Sequence, residues 1–234
     1  MKIVGLQKLT LLDYPGQVAC TVFLGGCNFR CPFCHNGQLL ENAPAVMSTE
    51  ELLAFLKGRK GILDGVCITG GEPTLNPQLP ELMRQIKQLG YLVKLDTNGY
   101  RPNVLKALVG EGLVDYVAMD VKNGPRCYGE TVGISNIDLE KVEESIRYLM
   151  SGAVSYELRT TVVEPLHDEK SIEDMAQWLL DLGDGHKIQC LYLQPFVDRE
   201  TVLMGGLAAP DDEMLAKFAE ILEQCSEKVE LRGK

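Results

Sequence analysis

The sequence predicts an α/β fold with parallel strands, because short β-rich apolar runs alternate with amphipathic helical stretches along the chain. Six such strand–helix pairs follow one another, and strict alternation implies parallel strands joined by right-handed crossovers. No Ser/Gly linker, charge block or internal repeat interrupts the series. We therefore expect one domain over residues 1–234. Six pairs are too few for the eight-fold closed barrel, so either an open doubly wound sheet or an incomplete barrel is expected.

The predicted strands are the runs rich in apolar residues, at residues 17–24, 65–69, 91–95, 114–121, 155–163 and 188–193, with a possible terminal strand at 228–231. Two of the helices carry start signals. Ser48 and Glu51 form a capping box, and Asn76-Pro77 provides an N-cap followed by proline. The predicted helices cover residues 48–57, 76–89, 102–109, 138–150, 171–182 and 211–225.

Composition and charge exclude several classes of protein. The 234 residues are 45% hydrophobic and 24% charged, which is ordinary for a folded globular chain and excludes overall disorder. With 23 Lys and Arg against 33 Asp and Glu, the net charge is −10, so no nucleic-acid partner is expected. The N-terminal sequence lacks a secretion signal, and no apolar run approaches the roughly 18–20 residues that span a bilayer. We expect a cytoplasmic protein without a membrane partner.

The eight cysteines are unevenly distributed. In a cytoplasmic protein they are expected to be reduced thiols, some of them metal ligands. Cys20, Cys67 and Cys190 lie within apolar runs, where a free cysteine behaves as a small buried hydrophobic residue. Three others lie within eight positions, as described below.

Polar residues and glycines follow successive predicted strands. In α/β folds, ligands bind beyond the carboxyl ends of the strands. Each segment alone is also ordinary turn chemistry, but carboxylates at three successive strand ends favour a site. The strand-end residues are Gly25-Gly26-Cys27, Gly70-Gly71-Glu72-Pro73, Asp96-Thr97-Asn98-Gly99, Asp120-Val121-Lys122, Arg159 with Glu164, and Gln194.

Cys27, Cys31 and Cys34 place three thiols on one predicted loop. Neighbouring thiolates repel one another, so this spacing predicts a metal centre. A structural zinc site needs a fourth ligand, and His35, directly after Cys34, would be an awkward one. An iron–sulfur cluster is favoured over zinc, because thiolates hold such clusters and no second cysteine pair follows at a zinc-ribbon spacing. Three ligands on a four-iron cluster would leave one iron open for a substrate.

The Cys-x3-Cys-x2-Cys spacing, with Phe33 before the last cysteine, resembles the signature of radical S-adenosylmethionine (SAM) enzymes. The segment Gly70-Gly71-Glu72-Pro73 looks like the one that contacts the methionine amino group in that family. The resemblance covers essentially the whole chain. It implies an incomplete (β/α)6 barrel of parallel strands.

The resemblance narrows to the glycyl-radical-enzyme activating enzymes through residues 34–36, 96–99 and 120–122. Residues 12–16 and 22–36 are most similar to the subgroup that activates anaerobic ribonucleoside-triphosphate reductase. Two departures are apparent: the extra ferredoxin-like cysteine insert of some relatives is absent, and Phe196-Val197 stands where other relatives have a histidine near the nucleoside.

The resemblance implies a 4Fe–4S cluster held by Cys27, Cys31 and Cys34, with Phe33 beside the cofactor. Reductive cleavage of SAM would give methionine and a 5′-deoxyadenosyl radical, which removes a Cα hydrogen from a glycine of a partner enzyme. That partner is expected to be anaerobic ribonucleoside-triphosphate reductase. The electron donor is expected to be flavodoxin- or ferredoxin-like.

The other strand-end residues are expected to bind SAM. Gly70 and Gly71 allow close backbone approach, and Glu72 either positions the methionine end or caps the following helix. Asp96, Thr97 and Asp120 are expected at the methionine or ribose end, where relatives also leave room for a monovalent cation. Lys122 and Arg159 either bind the substrate carboxylate or pair with these aspartates as scaffold.

The histidines allow fewer conclusions. His35 is expected either to tune the last cluster ligand or simply to pack. His167 and His186 are predicted to be solvated loop residues.

Three alternatives remain open from the sequence. In the first two, the chain activates another glycyl radical enzyme, of the pyruvate formate-lyase type, or acts on a small molecule. In a different class, it is a non-enzymatic iron–sulfur or zinc binding module.

Overall fold

The structure is a computed structural model that describes residues 1–37 and 43–233. The chain divides into two compact units. Among the described residues, the first unit contains 1–28, 43–118 and 153–155, and the second contains 29–37, 119–152 and 156–233. The expectation of a single domain stays a prediction.

The first unit is built on strands that neighbour one another in chain order. β1 is antiparallel to β2, β2 is parallel to β3, and β3 is parallel to β4. The strands are β1 (Ile3–Thr10), β2 (Ala19–Leu24), β3 (Gly65–Gly70), β4 (Leu92–Thr97) and the first three residues of β5 (Tyr116–Asp120). The helices are α1 (Thr49–Lys57), a 3₁₀ helix (Pro73–Leu75), α2 (Leu79–Gln88) and α3 (Pro102–Gly110).

The second unit is also built on strands in chain order. It holds the end of β5 and three strands in chain order, with β6 parallel to β7 and β7 parallel to β8. These strands are β6 (Ser155–Val162), β7 (Leu191–Pro195) and β8 (Val229–Leu231). The helices are α4 (Tyr128–Val132), α5 (Leu139–Met150), α6 (Glu169–Leu182) and α7 (Asp212–Leu222). The α/β class with parallel strands is therefore confirmed.

The parallel strands are buried along most of their length, as strands covered on both faces require. Val22 in β2 and Ile68 in β3 are fully buried and adjacent in register. Cys20 and Cys67 are fully buried too, which confirms that they behave as small hydrophobic residues. The same prediction is wrong for Cys190, which precedes β7 and is only half-buried.

Three elements differ from the sequence prediction. β1 was not predicted, because two register shifts interrupt the alternation that identifies a strand. The short helix α4 was also not predicted. The helix predicted from Asn76 begins at Leu79 instead, because the 3₁₀ helix occupies the preceding turn. The predicted terminal strand is present as β8, which is parallel to β7.

Among the described residues, every helix is too short or too polar to cross a membrane.

The predicted capping box at the start of α1 is present. Ser48 Oγ accepts a hydrogen bond from Glu51 N at 3.1 Å, and Glu51 Oε2 accepts one from Ser48 N at 2.7 Å.

Replacement Ser48→Ala removes one of these bonds. We expect it to lower the free energy of unfolding by about 1 kcal/mol, measured by urea denaturation. Asp138→Ala is the control, because the N-cap residue of α5 makes no side-chain cap hydrogen bond. Equal losses in the two variants would contradict this account of α1.

Candidate active site

The ends of β2 and β3 approach each other through their backbones. Gly71 N donates to Leu24 O at 2.9 Å, and Glu72 N donates to Gly26 O at 2.8 Å. A Cβ atom on Gly71 would lie 2.0 Å from Gly26 O, and one on Gly70 would lie 2.3 Å from Leu24 O. Gly70 also has a φ of +121°, which side chains rarely adopt. Only glycines fit at these two positions.

The carboxylate of Glu72 is buried at this junction, with 1% of the residue exposed. Its Oε1 accepts from Thr97 Oγ1 at 2.8 Å and from Thr74 N at 3.1 Å, and its Oε2 accepts from Asn98 N at 2.7 Å. Burial raises the pKa of Glu72, and these hydrogen bonds oppose the rise. Glu72 is the N-cap of the 3₁₀ helix, so its observed contacts favour the capping role. A role toward the methionine end of SAM stays a prediction.

Asn98 links this junction to Asn28, the residue after Cys27. Asn98 Nδ2 donates to Asn28 Oδ1 at 2.9 Å. The Nδ2 atom of Asn28 is buried and has no hydrogen-bond partner among the residues that the structure describes. A buried amide donor of this kind suits a site that receives an acceptor group from a ligand. Sequence reasoning did not select Asn28, although its position beside Cys27 was visible.

Asp96, at the end of β4, forms an ion pair that sequence reasoning also missed. Lys94 Nζ lies 2.5 Å from Asp96 Oδ1, and Cys67 Sγ lies 3.7 Å from the same oxygen. Lys94 is only 1% exposed. A buried ammonium group needs such a partner, so Lys94 and Asp96 fix each other at this strand end. The signal was a lysine inside an apolar run, two residues before the aspartate.

In the second unit, the Asp120 carboxylate forms ion pairs with two basic side chains. Lys122 Nζ lies 3.0 Å from Asp120 Oδ2, and Arg159 Nε lies 2.9 Å from Asp120 Oδ1. Burial alone would lower the pKa of Lys122, but the charge and hydrogen bond of Asp120, together with nearby Cys31 and Tyr128, outweigh burial and raise the pKa. Lys122 is therefore charged. The scaffold pairing expected for Lys122 and Arg159 is observed, and the three groups together carry one surplus positive charge.

The cysteine segment of the second unit is held by packing and backbone contacts. Phe33 is buried, and Lys122 Nζ lies 5.9 Å from the centre of its ring. Cys34 N donates to Cys31 O at 3.1 Å, which closes a tight turn between these two cysteines. Met204 N donates to Pro32 O at 3.1 Å.

His35 packs against the segment that follows β7. Its ring stacks on Phe196 with 5.5 Å between ring centres, and its Nε2 lies 2.6 Å from Val197 O. The backbone oxygen of His35 accepts from Thr201 Oγ1 at 2.7 Å. Burial lowers the pKa of His35. Of the two expected roles, these contacts favour packing.

The prediction that His167 is solvated is wrong. The residue is 3% exposed, and its Nε2 lies 2.8 Å from Lys122 O while its Nδ1 lies 3.2 Å from Val163 O. The ring therefore joins the chain after β5 to the chain after β6. Its position in a loop misled the prediction, because this loop folds inward. His186 is exposed, as predicted.

Residues 21–179 match the radical SAM superfamily. The chain belongs to this superfamily and is a radical SAM enzyme. Membership implies a 4Fe–4S cluster and S-adenosylmethionine as cofactors.

Within the superfamily, the chain is similar to activating enzymes. It is 34% identical to a Methanocaldococcus jannaschii protein with an assigned role as a glycyl-radical enzyme activating enzyme, over 97% of this chain and 94% of that protein. It is 26% identical to the pyruvate formate-lyase 1-activating enzyme of Escherichia coli K12, over 97% of each chain. In fold, it is similar to a domain of a pyruvate-formate lyase-activating enzyme from Bacteroides vulgatus, with a TM-score of 0.58 and 22% identity over 72% of this chain and 99% of that one.

The predicted ligands are of the chemical type that binds an iron–sulfur cluster. Cys27, Cys31 and Cys34 form no disulfide bonds, and thiolates are the ligands of such clusters. Across residues 1–37 and 43–233, no three His, Cys, Asp or Glu side chains form a group that could hold a metal ion. Ligation by the three cysteines stays a prediction from their spacing. So do the predicted contacts of the other site residues with SAM.

Replacement Gly71→Ala would force Gly26 away from the end of β3. We expect it to lower the free energy of unfolding by about 1–3 kcal/mol, measured by urea denaturation, because backbone must shift to admit the methyl group. The matched control is Gly110→Ala at the end of α3, where a Cβ atom meets nothing within 4 Å. That variant is expected to gain up to about 1 kcal/mol. Similar losses in both would argue against the close-approach explanation.

Burial lowers the pKa of His167 below its ordinary value of 6.5, so the folded chain keeps the ring neutral. The unfolded chain takes up a proton as the pH falls below about 6.5, and folding stability is lost in that range. We expect His167→Gln to show a smaller loss of unfolding free energy than the wild type between neutral and mildly acidic pH. The exposed His186 provides the control, because His186→Gln should keep the wild-type pH dependence. A full wild-type dependence in His167→Gln would contradict the assignment.

Proposed function

We propose that this radical SAM enzyme generates a glycyl radical on a partner enzyme. The observation that carries the proposal is the 34% identity, over nearly the whole of both chains, to a protein assigned as a glycyl-radical enzyme activating enzyme. The similarity to the Escherichia coli pyruvate formate-lyase 1-activating enzyme, again over nearly all of both chains, supports the same class.

Cys27, Cys31 and Cys34 would hold the 4Fe–4S cluster. When bound and reduced by an external donor, the cluster would supply one electron for cleavage of SAM to methionine and a 5′-deoxyadenosyl radical, and that radical would take the Cα hydrogen of a partner glycine. Gly70 and Gly71 let the ends of β2 and β3 approach each other closely beside the first of these cysteines, which side chains would prevent. The orphaned amide donor of Asn28 is available to an acceptor group of the ligand.

The charges of the second unit suit an anionic ligand group. Asp120 is matched by Lys122 and Arg159, and the surplus positive charge favours a carboxylate such as that of SAM. Binding of a substrate carboxylate is one of the two roles expected for Lys122 and Arg159 from the sequence. The aspartate holds both cations in place, so the scaffold and binding roles are compatible.

We propose anaerobic ribonucleoside-triphosphate reductase as the first partner to test, because residues 12–16 and 22–36 resemble the activating proteins of that enzyme. The second candidate is an enzyme of the pyruvate formate-lyase type, which the Escherichia coli relative favours. A flavodoxin- or ferredoxin-like protein is the proposed electron donor, and the cytoplasm is the proposed location.

The test is anaerobic incubation of the reconstituted, reduced protein with SAM and each partner in turn. We expect 5′-deoxyadenosine, together with a glycyl doublet in the electron paramagnetic resonance spectrum of one partner. Cys27→Ala, Cys31→Ala and Cys34→Ala should each abolish both signals. Cys127→Ala is the matched control and should keep both, because Cys127 lies outside the triplet, next to α4.

The outcomes separate the alternatives. A doublet only on the pyruvate formate-lyase type enzyme would reassign the partner. 5′-Deoxyadenosine without a doublet on either partner would favour a small-molecule substrate. A colourless protein that holds one zinc ion and makes no 5′-deoxyadenosine would refute the enzymatic proposal.

A further inference from the structure

One face of the parallel strands β6, β7 and β8 is lined by polar side chains. Arg159 is paired in register with Tyr192, and Tyr192 with Glu230. Residues paired in neighbouring strands project to the same face, as do residues two apart within a strand. Glu157 therefore shares this face with Arg159, and Arg232 shares it with Glu230.

Arg232, directly after β8, reaches across β7 to Glu157. Its Nη1 and Nη2 atoms donate to Glu157 Oε1 and Oε2 at 2.8 and 3.0 Å. Its guanidinium carbon lies 3.6 Å from the centre of the Tyr192 ring. Glu157 is 0% exposed, so this two-point contact delivers a positive charge to a fully buried carboxylate. Arg232 N also donates to Leu193 O at 2.9 Å, which fixes the backbone at this point.

Arg159 lies between two carboxylates. It is two residues from Glu157 on the same face, and its Nε donates to Asp120 Oδ1 at 2.9 Å. Burial acts to lower the pKa of Arg232, but the hydrogen bonds and charge of Glu157 raise it overall, and the Arg159 charge opposes that rise. Both guanidinium groups lie on the same face of β6 to β8, so their like charges repel each other. While Arg232 pairs with Glu157, the Asp120 carboxylate attracts Arg159 and the Arg232 charge repels it from Glu157. Both effects favour the contact between Arg159 and Asp120.

We propose that Arg232 is a positioning residue: its two-point contact with Glu157 keeps Arg159 on Asp120, so that Arg159 and Lys122 together present a positive site to an anionic group of the substrate. This inference rests on the proposed function for the identity of that substrate. Arg232 lies beyond residues 21–179, the part of the chain that matches the superfamily.

The test compares Arg232→Met with the double variant Glu157→Gln/Arg232→Met. The single variant removes the Arg232 positive charge from the buried Glu157 carboxylate. The negative charge of Glu157 then attracts Arg159 away from Asp120. In the double variant, residue 157 is neutral and Arg159 has no reason to leave. Both variants lose the same anchor between β8 and β6. A purely structural role therefore predicts equal effects, and the positioning role does not.

The measurement is the dissociation constant of SAM, by equilibrium dialysis with anaerobically reconstituted protein. We expect Arg232→Met to weaken binding about tenfold, and the double variant to return to within about threefold of the wild type. Equal weakening in both variants, or no weakening in Arg232→Met, would overturn the proposal. If Arg232→Met does not fold, Arg232→Lys keeps the charge without the two-point contact and is expected to weaken binding by a smaller factor. Unchanged SAM affinity in Arg232→Lys would then overturn it.

A crystal structure of the Arg232 variant without cluster gives a readout that is independent of SAM binding. We expect the separation of Arg159 Nε and Asp120 Oδ1 to exceed hydrogen-bond distance in that variant. Retention of the 2.9 Å contact would overturn the positioning role. A wild-type holoprotein that does not bind SAM would instead refute the proposed function, while the Arg159–Asp120 separation would still decide the role of Arg232.

Discussion

The close backbone approach between the ends of β2 and β3 determines the structure of the first unit around it. Because Gly71 has no side chain, its amide reaches Leu24 O and the next amide reaches Gly26 O. This contact buries the carboxylate of Glu72, which must then find donors, and it finds them at the end of β4 in Thr97 and Asn98. Asn98 in turn orients Asn28, beside the first predicted cluster ligand. The steric requirement for glycine at position 71 therefore determines a series of hydrogen bonds that extends from Glu72 to Asn28.

The second unit depends on the matching of charges rather than on close backbone contact. Asp120 is held by Lys122 and Arg159, and Glu157 by Arg232. Buried charges are costly unless they are paired, so each carboxylate fixes the cations around it. The backbone of Lys122 is fixed as well, because the buried ring of His167 lies against its carbonyl oxygen. The positive groups are therefore held in place before any ligand arrives.

The sequence predicts the elements that have strong local signals and misses those set by distant partners. The capping box of α1 and the buried β2 and β3 runs are local patterns, and the structure contains them. Lys94 reads as an ordinary charged residue, since nothing nearby in the sequence shows that its side chain is enclosed with Asp96. His167 is misjudged for the same reason, because the carbonyl oxygen of Lys122, 2.8 Å from its Nε2, becomes a neighbour only after folding.

The chain beyond the superfamily match contributes to the site as well. Within the second unit, Val197 and Thr201 contact His35, Met204 contacts Pro32, and Arg232 contacts Glu157. The ring of Phe196 stacks on His35, which follows the last predicted cluster ligand. The conserved chemistry of the superfamily is thus supported by residues that the shared pattern does not include. Differences between activating enzymes in this C-terminal segment are therefore expected to change how the cysteine segment and the Asp120 cations are held, while the cysteine spacing itself stays the same.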